Sequence, residues 1–349
     1  MSIPYRTRRT LRRLGVLAAV LLTVGVIAWL CWVLWLQRYV VYVDDGAMLD
    51  FNVSSNDIWG EEAVEPKVEA KVSIFYNEGA NAIDTTRELK QLSGYYITNE
   101  MVKTDLSNVL LQVERLPADT TIMIEMKGPY GSFFYDSQIS GATISASTDI
   151  TAMGNLVKRL QSKGFYTIAQ ISAFRDREYG DKNVPCGLYM LSRAGLWMDP
   201  GGMYWLDPTN AAVTSWITSV VLELRDMGFN EVLLSNFAFP NTDQIIFNGD
   251  KQAALQTAAN NLMSACSASG FVLSFGVTDP TFQLPEGRSR MYLENIDPNS
   301  IARTISQVTV DDPEARVVFL SETADTRYDS YSVLRSMNVV EEVEARKEE

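Results

Sequence analysis

EVLLSNFAFPN, residues 231–241, decides how the fold is read. Glu231 to Ser235 form a short, continuously apolar run of strand length, and the chain then leaves it for a loop ending at Pro240-Asn241. A strand without polar alternation is covered on both faces, as in a parallel sheet. In a parallel barrel the chemistry gathers at the C-terminal strand ends. Here those positions are Ser235, Asn236 and Ala238, and none of them ionises near neutral pH.

Outward from this stretch the same pattern repeats. GYYIT (94–98), TIMIEMK (121–127), YTIAQIS (166–172), FVLSFGV (271–277), RMYLEN (290–295) and RVVFLSE (316–322) bring the strand candidates to seven. Helical spacing separates them. Leu106, Val109, Leu110, Val113 and Leu116 follow a Thr104/Asp105 cap, and Met153, Leu156, Val157 and Leu160 share one face. Asp207-Pro208 is read as opening a helix that runs to Met227; further helices are expected near 251–269 and over NSIARTISQV. Gly164-Phe165, Gly228-Phe229 and Gly270-Phe271 each close a helix and lead into an apolar run, as αβ joints do. Alternating β and α over this length predicts an α/β fold, a (β/α)8 TIM-type barrel, irregular or incomplete forms included. The eighth strand is sought near 203–206 or in the final stretch. No glycine-rich phosphate loop follows any strand, which weighs against a doubly wound nucleotide-binding sheet.

The totals exclude several kinds of function. The 349 residues are 46% hydrophobic with formal charge −13, and Arg6, Arg8, Arg9, Arg12 and Arg13 leave the remainder more acidic still. An acidic body offers no cationic surface for nucleic acid. No histidine is present, which removes Ser-His-Asp and Cys-His catalysis and His-ligated metals. With no DxDxDG loop and no Cys or His cluster, no metal and no cofactor are expected. Cys31, Cys186 and Cys266 make no disulfide framework.

Residues 14–36, LGVLAAVLLTVGVIAWLCWVLWL, carry no charge. As a helix they span roughly 34 Å, enough to cross a bilayer core. The basic residues 1–13 are expected to stay cytoplasmic, and Trp29, Trp32, Trp35 and Tyr39 crowd the far end as an interfacial belt. The run is too long for a signal-peptide core, so an uncleaved single-pass anchor in the cell membrane is expected, with everything after residue 40 extracytoplasmic. Residues 37–92 read as a stalk, with a hairpin around Asp44-Asp45-Gly46, a polar linker and a short strand at 71–76. The barrel is assigned to residues 93–337 and a charged tail to 338–349.

SGYYIT followed by a helix and TIMIEMKGPYGSFFYDS, then FYTIAQISAFRD, GLWMDPGGMYWLDP and GFNEVLLSNFAFP, carry a family likeness. Residues 93 to about 280 resemble the glycoside hydrolase-like domain of bacterial membrane-anchored surface proteins, a TIM-barrel family distantly similar to the alpha-amylase-like hydrolases. The resemblance implies a barrel and a glycan ligand. It also places the family's fourth-strand aspartate on Ser235, its arginine on Ala238, a polar residue on Leu233 and its third-strand arginine on Gln170. The acid–lysine pair remains as Glu125 and Lys127.

Glycoside hydrolysis normally needs two carboxyl groups. Glu125 and Lys127 alternate onto one face of their strand, so Glu125 is expected to act as an acid or sugar ligand with Lys127 holding it ionised, or the two form a structural ion pair. Asp199 is the candidate second acid. It lies among Trp197, Tyr204 and Trp205, whose rings would stack on sugars or plug the barrel mouth. Tyr130, Asp136, Gln170, Asp176, Ser235 and Asn236 complete the expected sugar-binding set; Glu294 and Glu322 end later strands and rank lower. Three functions stay open. The first is a polysaccharide- or cell-wall-binding barrel with weakened or lost hydrolysis, since Ser235 has no evident activating base. The second is an active hydrolase using Glu125 with an acid such as Asp199. The third is a structural barrel that contacts envelope proteins.

Overall fold

The computed structural model describes residues 20–32, 35, 40–43, 46–49, 89–192, 194–341 and 343. The expected strand at 71–76, most of the stalk, the basic N-terminus and residues 14–19 of the apolar run lie outside them. The chain divides into two compact units, residues 1–76 and 77–349.

In the first unit residues 20–32 are helical and expose Val20, Leu21, Leu22, Trp29 and Trp32. Among the described residues no helix is long and apolar enough to cross a membrane. Val40–Val43 pairs antiparallel with Gly46–Leu49, Val43 opposite Gly46, so the expected hairpin forms and its second strand starts earlier than residue 48.

The second unit is a closed parallel barrel. Its strands are β1 (Ser93–Ile97), β2 (Thr121–Lys127), β3 (Tyr166–Ser172), β4 (Glu231–Ser235), β5 (Val272–Gly276), β6 (Met291–Glu294), β7 (Val317–Ser321) and β8 (Ser332–Ser336). Each pairs in parallel with the next, and β8 pairs with β1 to close the ring. β1 and β2 lie so near that a Cβ on Gly94 would collide with the Thr121 carbonyl oxygen. The eighth strand is SVLRS in the final stretch. Residues 203–206 instead make isolated bridges within the long loop after β3, Met198 with Tyr204 and Arg175 with Trp205.

The outer layer is α1 (Asn99–Arg115), α2 (Ile150–Ser162), α3 (Arg177–Lys182), α4 (Ala211–Asp226), α5 (Lys251–Cys266), α6 (Ile301–Ile305) and α7 (Pro313–Arg316). Met153, Leu156, Val157 and Leu160 of α2 are buried as their spacing predicts. Gly164, Gly228 and Gly270 adopt φ of 82°, 93° and 80°, the left-handed cap that turns each helix into its strand. Three boundaries differ from expectation. α1 begins behind Thr98, and Asp105 marks a kink inside it, with its side chain accepting from Asn108 N. α4 begins behind Asn210, because Asp207 spends its carboxylate on the Thr209 N–H and hydroxyl. NSIARTISQV forms a 3₁₀ turn and the short α6. The covering is uneven: among the described residues only a 3₁₀ turn, Thr326–Tyr328, lies between β7 and β8.

Alternation along the strands splits the core in two. Val232, Leu234, Leu273, Phe275, Leu293 and Phe319 face the helices, and Met123, Ile168, Leu233, Tyr292, Val318 and Leu334 fill the barrel interior. Beneath that interior layer, at the N-terminal strand ends, lies Glu231 with no solvent exposure. It accepts from Ser274 Oγ at 2.6 Å, Tyr292 OH at 2.7 Å, Tyr166 OH at 2.9 Å and the Arg290 guanidinium. Arg290 donates further to the Ala315 and Lys90 carbonyls at 3.0 and 2.9 Å. Burial and the Glu231 charge hold the Tyr292 hydroxyl well above its ordinary range. Glu231 thus stands at the stability end of the barrel, as its place at the strand start predicts.

Glu231→Gln leaves the Arg290 cation buried without its counter-ion. It is expected to cost about 3–5 kcal/mol of unfolding free energy, read from the shift in urea-denaturation midpoint at constant slope.

Candidate functional site

The C-terminal strand ends bring together Glu125, Gln170, Ser235, Glu294 and Tyr96. Glu125 is level with Gln170, and Ser172 with Ser235. Glu125 Oε2 accepts from Asn99 N at 2.9 Å and so caps α1. Burial raises its carboxyl above the usual range, against the pull of that N–H and of Lys103.

Lys127 does not hold Glu125 ionised. A β-bulge between the two sets Lys127 level with Ile171, which faces the helices, and breaks the alternation. The ammonium lies 2.6 Å from Asp176 Oδ2 and 2.9 Å from the Ser172 carbonyl oxygen, with both side chains buried. Asp176 is therefore no sugar ligand. It is fully buried, and its other oxygen caps α3 through Tyr179 N at 2.8 Å.

The candidate second acid is also committed. Asp199 Oδ2 lies 2.6 Å from Arg175 Nε and 3.1 Å from Trp205 Nε1, and Oδ1 accepts from Met203 N at 3.1 Å. Burial alone would raise its carboxyl, but the Arg175, Met203 and Trp205 donors outweigh it and hold it low. Asp199 clasps a loop and is a poor proton donor. Trp197 packs on Leu188 and Ile245 in a satellite core flanked by Trp205, Phe239 and Phe247, so these rings chiefly pack the loop. Tyr204 is half-buried; burial and nearby Asp181 raise its hydroxyl. Tyr130 is 56% exposed beside α3, its carbonyl accepting from Glu178 N. Asp136 is exposed away from the mouth, on a loop that Tyr135, Ser137 and Gln138 fasten to Glu223 of α4.

Ser235 is 4% exposed and donates from Oγ to the Ile171 carbonyl oxygen at 3.1 Å. Asn236 takes a left-handed backbone, φ 52°, and donates from Nδ2 to Ser172 Oγ at 3.1 Å. That turn carries the chain out of the barrel towards Phe237 and Ala238.

Two members of the mouth carry little signal in the sequence. Glu294 ends β6 with an exposed side chain, and the protein around its base raises its carboxyl. Tyr96 shares the interior with Met123, and its hydroxyl is raised by burial and then by Glu322 and Glu294, against a bond from Ser336. In GYYIT only the barrel's parity tells inward Tyr96 from outward Tyr95. Among the described residues no group of three or more Cys, Asp or Glu is placed to hold a metal.

Residues 94–270 match the family described as "Putative glycosyl hydrolase domain", and the chain belongs to that family. No curated protein matches the chain. Similar solved structures include a hypothetical protein from Ruminiclostridium thermocellum, 20% identical, TM-score 0.45, aligned over 52% of this chain and 96% of that one. An alpha-galactosidase from Lactobacillus brevis is 8% identical, TM-score 0.49, over 75% of this chain and 40% of its own. The glycoside hydrolase domain of PelA from Pseudomonas aeruginosa is 13% identical, TM-score 0.43, over 72% and 96%.

A carboxyl whose pKa is higher folded than unfolded binds its proton more tightly in the native state. Its contribution to stability is full below the unfolded pKa and is lost as pH rises through the folded one. Glu125→Gln keeps an acceptor for Asn99 N without the charge. The variant is expected to melt higher than the wild type at pH 8, with the gap closing towards pH 4, in thermal scans across that range.

Proposed function

We propose that the barrel binds a cell-envelope or environmental polysaccharide across its C-terminal face, with hydrolysis weakened or lost. The observation that carries this reading is Ser235. It stands where the family resemblance places an aspartate, and its hydroxyl is spent on the Ile171 carbonyl oxygen. A serine is a weak nucleophile unless a base takes its proton, and the Lys127 ammonium that could become one is tied to Asp176. What remains at the mouth suits binding: carboxyl, amide and phenol groups from Glu125, Glu294, Gln170 and Tyr96 hydrogen-bond to hydroxyls. Residues 14–36 would hold the barrel at the cell membrane with the N-terminus cytoplasmic, by the length and charge flanks of that run.

The active-hydrolase reading keeps one specific support, in Glu294 and no longer in Asp199. Glu125 is half-buried with a raised carboxyl, as a general acid requires, and Glu294 stands exposed at the same mouth as a second carboxyl.

The purified full-length chain is expected to retain polysaccharide on a glycan array without releasing reducing ends. Ser235→Asp, alone or with Ala238→Arg, is expected to bring turnover of a retained glycan above background. Turnover by the wild type that Glu125→Gln abolishes would establish the active-hydrolase reading instead.

A further inference from the structure

A concave pocket of about 230 Å³ opens on the same face as Ser235, between the loops after β4 and β5 and the first turns of α5. Its floor is apolar: Phe237, Leu255, Val277 and Phe282, with Ala238 also lining it. Phe237 makes edge contacts with Phe275 and Phe282, so the floor continues the core and is set rigidly. Its rim is polar, built mostly from the Gln252, Gln256 and Gln283 amides and the Thr278 hydroxyl. The one carboxylate on the rim is Asp279. Its oxygens accept from Thr281 Oγ1 at 2.7 Å and Gln252 Nε2 at 2.6 Å. The Thr281 hydroxyl holds that carboxyl low against partial burial, so it stays charged and repels anions.

The size and the lining decide what fits. Pockets that enclose a whole small ligand run to roughly 300–1,000 Å³. This one is smaller, and takes a substituent while the rest of a chain lies outside it. Phenylalanine, leucine and valine on the floor suit a methyl group, because a sugar hydroxyl placed there would lose water without gaining a partner. Amides and a hydroxyl around the opening suit a carbonyl or an amide N–H just above that methyl. Acetyl groups, on nitrogen or on oxygen, join these two features at that distance. Where the family resemblance places an arginine, this chain has Ala238; a guanidinium there would put a charge beside the floor.

We propose that the pocket between the β4 and β5 loops and α5 is an acyl subsite, which selects acetylated glycans by seating the acetyl methyl on Phe237, Leu255, Val277 and Phe282. This rests on glycan binding at the same face, and names the class of glycan.

The test uses the full-length chain on an array of matched oligosaccharides, each backbone present with and without N-acetyl or O-acetyl groups. Mild alkali strips O-acetyl and leaves N-acetyl, which separates the two sources. Retention of the acetylated member of a pair over its unsubstituted partner by about tenfold or more supports the subsite, a range set by filling an apolar pocket with one small group. Ala238→Phe, which fills the pocket, is expected to erase that preference. Leu255→Gln puts an amide at the half-buried edge of the floor and serves if the first variant does not fold. Equal retention of both partners, or a preference that survives both variants, overturns the subsite and leaves glycan binding standing. Retention of no glycan overturns both.

Discussion

Glu231 and Arg290 form the contact on which the rest of the barrel depends. A fully buried carboxylate is costly unless every lone pair is used, and here serine, two tyrosines and a guanidinium use them. The donors come from β3, β5 and β6 and the residue before β6. Through Arg290 the network reaches Lys90 ahead of β1 and Ala315 ahead of β7. A parallel barrel is otherwise a ring of interchangeable apolar strands. A charge that must be matched at one level is a physical reason for strands β3 to β6 to keep a single register.

The opposite end of the same strands has a different character. Where the bottom pairs its carboxylate completely, the mouth leaves Glu125 with one backbone donor and Glu294 exposed at the end of β6. The bulge after Glu125 is the local device behind this. It turns Lys127 out of the interior and gives it to Asp176, so the cation that would have neutralised Glu125 stabilises the long β3 loop instead. One extra residue in a strand thus separates a structural ion pair from a candidate acid.

That long loop follows a second economy. Arg175, Asp199 and Trp205 tie it to itself, and Trp197 gives it a small core. Residues whose composition suggests sugar contacts are largely consumed in holding their own loop. Beyond β5 the helices shorten and the covering thins, and β8 is polar, with Arg335 bonded to Asp329 and to the Asp325 carbonyl. Hydrophobic periodicity alone does not reveal a strand whose outer face carries an arginine.

The amino-acid sequence by itself determined the alternation of strands and helices, seven of the eight strands, the αβ joints at Gly164, Gly228 and Gly270, and the absence of an acid at Ser235. These are local properties: runs, periods, caps and residue identity. The tertiary structure alone decided which charged groups meet. Glu125 and Lys127 read as neighbours until a bulge parts them, and Asp176 and Asp199 read as ligands until Lys127 and Arg175 claim them. Tyr96 and Glu294 come together only when β6 and β1 close into one ring. Electrostatic partnership depends on distance through space and on burial, and neither is written in the spacing of residues along a chain.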